Sequence, residues 1–438
     1  FFVIFHNCPN LEGMVEIGTG KRQNPYDIRV VVTGLGTINP IGNNVAEFWE
    51  NLVVGKSGIR TMRYTEVGDY PVKIAGEIDI PDLTAYFKEK RMIRRLDRYV
   101  LFGHVAGTQA LRDAGLDTER DPTRYGSLIG TGDGGVGAYL ENIERIVTTG
   151  MHSVSPFYLI NAIPSTATGF FAQNWNLQGP CFSVNSACAT SNHTIGLAAM
   201  LIKWGMADAI IAGGAEAPVN KNGVAAFGKI QALSERNDSP ETASRPFDKD
   251  RDGFILSEGA GALCLEELSH AKKRGAKIYA EIKGFAFSCD AHDLVAPHPE
   301  SRGAVNAMRN ALTDAGLAPA DIGLINAHAT STTIGDRAES IAIEKVFGKE
   351  IERVLVHSTK SMTGHSLGAT SAIEAIAAIL AFEKNVIHYT TNQFEQDPDI
   401  KLHIIKKEPL EKKVDHILSN AFGFGGQNAA LVLSRFTD

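Results

Sequence analysis

Short apolar runs rich in β-branched residues alternate along the chain with longer segments rich in Ala and Leu. Runs of the first kind lie at 29–36, 126–132, 208–216, 261–268 and 416–426. β-Branched runs bounded by small residues indicate strands, whereas Ala/Leu-rich segments with an apolar face indicate helices. Because the strand-like runs alternate with helices and are apolar throughout, the pattern predicts an α/β fold with a largely parallel, buried sheet.

Two stretches of the chain recur in the same order. ALRDAGL at 110–116 returns as ALTDAGL at 311–317, and each precedes an apolar run that ends in small residues. VNSACATS at 184–191 has a looser echo in VHSTKSMTG at 356–364, and each opens an Ala-rich segment. One D-A-G-L match is compatible with chance, since it is an ordinary helix C-terminus. Two matches in the same order favour a duplicated fold.

The duplication divides the chain into residues 28–275 and 276–438, which meet near the charged segment SHAKKRGAK. Each half is expected to have its own sheet, and the two halves are expected to share a helical layer. Residues 1–27 are expected to form a poorly ordered extension. Their start, FFVIFHNCPN, lacks the basic region and the long apolar run of a signal peptide or membrane span.

Composition narrows the class of protein. The 438 residues are 44% hydrophobic and 21% charged, as in globular domains, and a net charge of -7 argues against a nucleic-acid binder. The five cysteines are scattered and form no C-x-x-C pair. This argues against a disulfide scaffold and against a zinc site, so we expect no metal and a reducing compartment. The default location is the cytoplasm.

Cys188 is the first candidate for chemistry. It follows the strand-like CFSVNSA and precedes TSNHTIGLAAMLIKWG, which suits a buried helix. A cysteine in the first turn of a helix feels the positive end of the helix dipole, which lowers the pKa of the thiol. Its own backbone N–H is also placed to bind an oxyanion. The alternative is a small packed residue, because free cysteines are commonly buried.

Two histidines favour a catalytic role for Cys188 over a packing role. His328 lies in INAHATSTTIGD and His365 in HSTKSMTGHSLGA, each where a strand-like run of the second half gives way to small residues. Ligand-binding groups collect at such places in α/β sheets. Lys360 precedes His365 by five residues and Glu374 follows it by nine. Lys360 is expected to orient the site electrostatically with a buried Glu374 as its ion partner; the alternative is an ordinary structural pair.

A glycine-rich loop, SNAFGFGGQNAALVL, lies near the C-terminus. Its glycines allow the main chain to approach a ligand closely, and Phe424 between them is able to present a backbone N–H while its ring covers or opens the site. A phosphate-binding loop is the competing interpretation. It is weak, because neither G-K-[ST] nor G-x-G-x-x-G follows a strand here.

Together these segments resemble the β-ketoacyl-[acyl carrier protein] synthases, the type I/II condensing enzymes with the thiolase fold, over residues 28–436. The resemblance rests on six motifs in order: VVTGLG, SACATS, SRPFDKDRDGFILSEGAGALCLEEL, NAHATSTTIGD, STKSMTGHSLGA and NAFGFGGQNA. It implies two duplicated mixed-sheet halves in a layered αβαβα arrangement. The first half would carry the nucleophilic cysteine and the second half both histidines.

The resemblance also implies a role for each matching residue. Cys188 would take the acyl chain from a phosphopantetheine thioester. His328 and His365 would polarise the malonyl thioester carbonyl, assist decarboxylation and stabilise the enolate. The backbone N–H groups of Cys188 and Phe424 would form the oxyanion hole, and the ring of Phe424 would gate the acyl pocket. Lys360 would support the histidines.

Further implied residues are Glu374 as the partner of Lys360, and Thr330 and Thr332 along the pantetheine tunnel. Asp336 and the segment 244–258 look structural. The implied substrates are carried on acyl carrier protein, and no metal or redox cofactor is required. The implied assembly is a dimer, either with a second copy or with a related ketosynthase-like subunit.

The physical chemistry agrees with this reading. A Claisen condensation needs a soft nucleophile that is also a good leaving group, which a thiolate is. Decarboxylation supplies the carbanion without a strong base, and two neutral imidazoles are able to donate hydrogen bonds to the enolate oxygen. A cysteine at position 188 argues against the chain-length-factor subunits, which usually lack it. Its pairing with two histidines argues against a thiolase.

Four positions depart from the family pattern. Asp133 stands where elongating members have an apolar residue at the far end of the acyl pocket, near the dimer partner. Asp293 and Val295 replace a usual His and Thr, which puts one pantetheine contact in doubt, and Ser366 replaces a bulky apolar residue. An unpaired buried carboxylate disfavours a long saturated chain. The alternative is that Asp133 is paired or points away.

These departures suggest a specialised relative that acts on a short, polar or polyene chain, in fatty-acid or type II polyketide synthesis. Two other functions stay open at this point. One is a non-elongating structural subunit of a heterodimer, and the other is a cysteine hydrolase that releases free acid.

Overall fold

The computed structural model describes residues 24–438, so the expected extension at residues 1–27 lies almost wholly outside the described residues. The strands are β1 (Val30–Ile38), β2 (Arg60–Thr61), β3 (Ile74–Ala75), β4 (Tyr125–Gly130), β5 (Ala209–Glu216), β6 (Gly259–Glu267), β7 (Ala280–Cys289), β8 (Leu324–Asn326), β9 (Leu355–His357), β10 (Val386–Ile387), β11 (His403–Ile404), β12 (Leu410–Glu411), β13 (His416–Gly423) and β14 (Gln427–Arg435). All five predicted strand-like runs form strands of the main sheet.

The α-helices of the same residues are α1 (Val45–Val53), α2 (Arg98–Ala114), α3 (Val136–Thr149), α4 (Tyr158–Ala162), α5 (Thr166–Trp175), α6 (Thr190–Lys203), α7 (Lys221–Lys229), α8 (Leu268–Lys273), α9 (Arg302–Ala315), α10 (Thr333–Phe347), α11 (Lys360–Thr363) and α12 (Thr370–Lys384). In the part of the chain that the structure describes, no helix is long and apolar enough to cross a membrane.

The main sheet is mixed. Its ten strands run in the order β11-β9-β8-β13-β14-β7-β1-β6-β5-β4, and five of the nine neighbouring pairs are antiparallel. The prediction of a largely parallel sheet from the apolar runs is therefore wrong. A strand that is buried on both faces is apolar throughout in either direction, so the pattern carries no information on how its neighbour runs.

The two halves of the sheet repeat one topology. In the first half, β4 pairs in parallel with β5, β5 antiparallel with β6, and β6 antiparallel with β1. In the second half, β8, β13, β14 and β7 pair in the same sequence of directions. The halves join through β1 and β7 at two residue pairs, Val31 with Glu281 and Val32 with Ala280. The predicted α/β fold with duplicated mixed-sheet halves is confirmed, whereas the division at residues 275 and 276 stays a prediction.

The helices form three layers around these strands. The central core contains the apolar residues of α6 and α12 together with strands of both halves. On the outer side of the first half, α2 and α5 share a second core with β4, β5 and β6. On the outer side of the second half, α9 and α10 share a third core with β13 and β14. The layers therefore run helix, sheet, helix, sheet, helix.

The two sequence repeats differ in how they are built. The D-A-G-L repeat forms equivalent helix ends, because α2 and α9 both terminate at a left-handed glycine, Gly115 with φ 59° and Gly316 with φ 67°. The predicted match between 184–191 and 356–364 is wrong. The counterpart of the segment that opens α6 is 366–370, which opens α12, and not 356–364. The second half inserts α11 between β9 and this turn, which shifts the match along the chain.

Close contact between β6 and the central helix α12 predicts a sharp effect on stability. A Cβ at Gly261 would lie 2.7 Å from main-chain atoms of both Ala372 and Ile373. We expect Gly261→Ala to lower the free energy of unfolding by about 1–3 kcal/mol, because the added methyl overpacks a rigid interface. Urea unfolding followed by circular dichroism measures the change.

Gly169 provides the matched control. It lies in α5, and a Cβ there meets no atom within 4 Å. Gly169→Ala is expected to raise the free energy of unfolding by about 0.5–1 kcal/mol, because alanine restricts the unfolded chain and favours a helix. Equal effects of the two substitutions would contradict the packing described here.

Candidate active site

Cys188 lies in a tight turn between the strand-like segment 181–184 and α6. The turn spans Ala187–Ala189 and is followed directly by Thr190, the first residue of the helix. Ala187 has a φ of 49°, a left-handed conformation that is strained for a residue with a side chain. Such strain is characteristic of functional turns, where it aims one side chain into a site.

The glycine-rich loop closes over this turn. A Cβ at Gly423 would lie 2.8 Å from the carbonyl oxygen of Ser186 and 3.2 Å from the backbone nitrogen of Cys188. Glycine is therefore required at this position for the loop to approach the nucleophile. The next residue, Phe424, lies with its ring 6.2 Å from that of Phe227, centroid to centroid.

The thiol of Cys188 is buried, and burial raises its pKa to about 12. The positive charge of Lys360 opposes this rise and the carboxylate of Glu216 adds to it, while the backbone N–H groups of Phe424 and Cys188 favour the thiolate. The expectation that the helix start leaves the thiol with a lowered pKa is wrong, because desolvation outweighs the dipole. The thiol is thus protonated at neutral pH, and the same two N–H groups are placed to bind a developing oxyanion.

The two histidines lie together in the cavity that contains Cys188. Their ring centroids are 5.5 Å apart and the rings are nearly perpendicular. His365 is buried, and its Nδ1 is 3.0 Å from Oγ1 of Thr370. Burial lowers the pKa of both histidines well below the usual value, and the charge of Lys360 lowers it further. Both imidazoles are therefore neutral and able to donate a hydrogen bond.

Lys360 and Glu374 form a buried ion pair. Nζ of Lys360 is 2.6 Å from Oε1 of Glu374, and each side chain is 1% exposed. Burial raises the pKa of Glu374 to about 7, and the charge of Lys360 opposes that rise. The pair places a fixed positive charge close enough to act on Cys188 and on both histidines.

A carboxylate that the sequence analysis missed holds the main chain at His328. Glu339 of α10 accepts hydrogen bonds from the backbone N–H of His328 at 2.9 Å and from that of Ala329 at 2.7 Å. The side chain of Asn420 donates a third hydrogen bond at 3.0 Å. The available signal was an acidic residue on the apolar face of the helix after NAHATSTTIGD. Asp336, expected to be structural, accepts hydrogen bonds from Phe247 N and Ser331 N.

The cavity connects these groups to the surface. It has a volume of about 370 Å³, and the predicted residues at its wall are Cys188, His328, Thr330, Thr332, His365 and Phe424. The hydroxyl oxygens of Thr330 and Thr332 are 3.1 Å apart. At the mouth, Ile230, Val295 and Ile334 are exposed apolar side chains. The result is a passage with an apolar rim, a hydroxyl-lined wall and a reactive end.

Asp133 lies apart from the residues of this wall. Its backbone N–H donates to Glu216 at 3.1 Å, and the preceding carbonyl, of Gly132, accepts from the side chain of Asn185 at 2.9 Å. Asp133 therefore lies behind the turn that carries Cys188. Its carboxyl group is half-buried, and burial alone raises its pKa.

The other departures from the family pattern have local explanations. The side chain of Asp293 accepts hydrogen bonds from the N–H groups of Val295 and Ala296, at 2.8 and 2.9 Å, and so stabilises its own exposed turn. The hydroxyl of Ser366 is 3.1 Å from Oγ1 of Thr370, the same oxygen that His365 contacts. Ser366 thereby joins the polar network around a histidine instead of filling apolar space.

The arrangement has a definite chemical capacity. A thiol beside two converging N–H groups is suited to accept an acyl group from a thioester. Two neutral imidazoles beside a fixed cation are suited to stabilise an enolate. Within residues 24–438, no group of three or more His, Cys, Asp or Glu side chains is arranged to hold a metal ion.

Comparison with known proteins agrees with this chemistry. Residues 27–271 match the family model "Beta-ketoacyl synthase, N-terminal domain", and residues 279–394 match "Beta-ketoacyl synthase, C-terminal domain". The chain is 44% identical over 411 residues to 3-oxoacyl-[acyl-carrier-protein] synthase 2 of Coxiella burnetii, covering 94% of this chain and 99% of that protein.

Two solved structures are also similar. The ishigamide ketosynthase/chain length factor matches with a TM-score of 0.88 and 33% identity, covering 94% of this chain and 100% of that one. A type II polyketide synthase acyl-carrier protein in complex with its ketosynthase bound to the hexaketide matches with a TM-score of 0.86 and 32% identity, at the same coverage.

Fold and site together define an acyl-transferring condensing enzyme of the thiolase-like fold. The chain belongs to the β-ketoacyl synthase family. The resemblance indicated by the six sequence motifs is therefore confirmed, as is the class of enzyme. The roles of the individual residues stay predictions.

The charge of Lys360 predicts a change in pH dependence. In Lys360→Met one cause of the lowered pKa of His328 and His365 is removed, so both pKa values rise toward 6.5. The acid limb of the kcat profile should then move to higher pH. The variant also leaves Glu374 buried without its partner, which should lower the free energy of unfolding by about 3–5 kcal/mol.

Lys277→Met is the matched control, since Lys277 forms a surface ion pair with Glu383 at 2.9 Å. Such a pair contributes about 0–1 kcal/mol and lies outside the cavity. Its pH profile and stability should stay close to those of the parent. An unchanged acid limb in folded Lys360→Met would contradict the electrostatic role.

Proposed function

We propose that this enzyme transfers an acyl chain to Cys188 and condenses it with malonyl-[acyl carrier protein], giving 3-oxoacyl-[acyl carrier protein], CO2 and free carrier protein. The observation that carries the proposal is the convergence of Cys188, His328 and His365 in one cavity. The Coxiella relative is named for this activity, and a solved ketosynthase relative binds its acyl-carrier protein.

The first half-reaction is acyl transfer. The sulfur of Cys188 forms a bond to the thioester carbonyl carbon, and the bond from that carbon to the pantetheine sulfur breaks. The proton of the thiol passes to the departing pantetheine thiolate. The N–H groups of Cys188 and Phe424 bind the oxyanion while it exists, which offsets the raised pKa of the thiol.

The second half-reaction is decarboxylative condensation. The bond between the malonyl carboxylate and its α-carbon breaks, CO2 leaves, and the electron pair becomes an enolate. Hydrogen bonds from His328 and His365 stabilise the enolate oxygen. The α-carbon then attacks the acyl group on Cys188, and the thiolate that leaves takes up a proton. Burial keeps the imidazoles neutral for this donation, and the charge of Lys360 adds to that effect.

The cavity mouth suits a substrate delivered on phosphopantetheine. The hydroxyl groups of Thr330 and Thr332 face a passage, which fits the amide groups of a pantetheine arm, and the exposed rim residues Ile230 and Ile334 fit a docked carrier protein. We assign no metal or redox cofactor to the reaction. The free cysteines among the described residues, Cys181, Cys188, Cys264 and Cys289, are consistent with a cytoplasmic location.

We further propose that the enzyme is a dimer, formed with a second copy or with a related ketosynthase-like subunit. Helices α3 and α4 carry a group of exposed apolar side chains: Tyr139, Leu140, Ile143, Ile146, Val147, Leu159 and Ile160. An apolar surface of this kind marks a protein interface. One solved relative is a complex of a ketosynthase with a chain length factor.

The reaction is tested by mass spectrometry of the enzyme after incubation with a panel of acyl carriers and malonyl carrier. We expect an acyl adduct on the Cys188 peptide and a 3-oxoacyl carrier product, both lost in Cys188→Ala. Cys264→Ala is the matched control, because Cys264 is also buried and its pKa is also raised to about 12, but it lies in the core around α2. Release of free acid would instead indicate a hydrolase, and absence of any adduct would indicate a structural subunit.

We also propose that Asp133 limits the chain that the enzyme accepts, favouring a short, polar or polyene chain. The support is a half-buried carboxyl group that has no partner charge among residues 24–438, on the loop behind Cys188. We expect Asp133→Ile to raise kcat/KM for a long saturated acyl carrier by about tenfold or more, since an unpaired polar group against an apolar chain costs about 1–3 kcal/mol.

Asp133→Asn separates charge from shape. It should give a smaller gain, because the amide is neutral but still polar. Transfer rates to Cys188 from carriers of increasing chain length measure the effect. Equal rates for long saturated and short or unsaturated chains in the parent, with no change in Asp133→Ile, would refute this assignment.

A further inference from the structure

Glu216 is a fully buried carboxylate at the end of β5, beneath the site, and the mechanism above does not use it. Oε1 accepts a hydrogen bond from the hydroxyl of Thr131 at 2.6 Å and from the N–H of Asp133 at 3.1 Å. Oε2 accepts from the N–H of Gly132 at 2.7 Å and from the N–H of Gly368 at 3.0 Å. The first three donors belong to the first half of the fold, and Gly368 belongs to the second.

Gly368 is the counterpart of Cys188 in the duplicated fold. The turns Ala187–Ala189 and Leu367–Ala369 precede α6 and α12, and each starts at a residue with positive φ, 49° at Ala187 and 42° at Leu367. The N–H of Cys188 faces the catalytic thiol. Glu216 therefore accepts a hydrogen bond from the N–H of Gly368. That N–H is the counterpart of the Cys188 N–H, which is proposed to bind the substrate oxygen.

The loop that Glu216 holds in the first half also has a counterpart. Gly130 is the last residue of β4 and Asn326 the last residue of β8, so Gly132 and Asp133 lie at the same distance beyond their strand as His328 and Ala329. Glu339 accepts the N–H groups of that second pair. Each half thus uses one buried carboxylate to hold the loop after its strand, but only Glu216 reaches across to the other half.

The charge of Glu216 acts on the nucleophile as well. All four partners donate hydrogen bonds, so the geometry fits the ionised carboxylate. Burial raises the pKa of Glu216 to about 7, the neighbouring Asp133 carboxyl adds to the rise, and the donors oppose it. Ionised Glu216 in turn raises the pKa of the Cys188 thiol, against the charge of Lys360.

We propose that Glu216 is a positioning residue that locks the turn before α12 to the loop at 131–133, aligns the Cys188 turn with His365, and places a negative charge near the thiol. In this arrangement the Glu216 carboxylate lies in the second half at the position that corresponds to the substrate oxyanion in the first half. The turnover part of this assignment rests on the proposed function, whereas the effect on the thiol does not.

The test compares Glu216→Gln with the parent in two assays. Condensation turnover should fall by about tenfold or more with KM changed far less, because in either orientation of the amide at least one buried N–H donor, of Asp133 or of Gly132 and Gly368, loses its acceptor. Alkylation of Cys188 by iodoacetamide should become faster at a given pH, and its pH midpoint should move down, because a negative charge near the thiol is lost. A site loosened enough to hydrate the thiol would also make it more acidic, but it would bind substrate less well, so faster alkylation at a parental KM identifies the loss of charge.

Glu266→Gln is the matched control. Glu266 is an equally buried carboxylate on the neighbouring strand β6, at the opposite end of the β5–β6 pair, where it forms an ion pair with Arg274. That variant reports the stability cost of such a change and should keep the parental alkylation profile. If Glu216→Gln does not fold, Thr131→Val removes one donor to the carboxylate and should shift both readouts in the same directions by less.

A parental alkylation profile in folded Glu216→Gln would overturn the assignment, whatever the turnover. Parental turnover together with a parental alkylation profile in Thr131→Val would also overturn the assignment. If the parent makes no 3-oxoacyl product at all, the proposed condensation fails, but the alkylation assay still tests whether Glu216 acts on Cys188.

Discussion

The packing of α6 against α12 between the two sheets is the constraint on which the site depends. Both helices lie in the central core, so the polar groups at their N-termini are shielded from solvent and need hydrogen-bond partners within the protein. Some of these partners belong to the opposite half. The hydroxyl of Ser191 donates to the carbonyl of Gly368, and the N–H of Asn192 donates to the hydroxyl of Ser371 at 3.0 Å. The two turns that precede these helices are therefore held in one register across the interface between the halves.

Burial sets the protonation states that the chemistry uses. Desolvation raises the pKa of the Cys188 thiol and lowers that of His328 and His365, so both kinds of group are neutral at rest. The fixed charges beside them are the Lys360–Glu374 pair and the Glu216 carboxylate. Because these charged side chains are buried, they act over several ångströms with little screening. In the proposed mechanism, reactivity then comes from hydrogen-bond donors placed where charge develops, while the resting thiol is protonated.

The two halves share a duplicated backbone but carry different side chains at equivalent turns and loops. Equivalent turns open α6 and α12, but one carries Cys188 and the other Gly368. Equivalent loops follow β4 and β8, but one carries Gly132 where the other carries His328. The second half adds α11, which brings Lys360 and His365 to the interface. In the proposed mechanism the site is thus assembled from the nucleophile of one half and the hydrogen-bond-donating histidines of the other.

The sequence by itself determined five strands of the main sheet, their alternation with helices, the duplicated fold and the family, because periodicity, glycine caps and short motifs are local features of the chain. It also singled out Cys188, His328 and His365, whose motifs are distinctive. Only the tertiary structure decided the strand directions, the thiol pKa, and the parts played by Glu216 and Glu339. A strand buried on both faces has the same pattern in either direction, and desolvation depends on neighbours far along the chain. A single acidic residue gives no sign that its partners are backbone N–H groups, such as that of Gly368 on the opposite half of the fold.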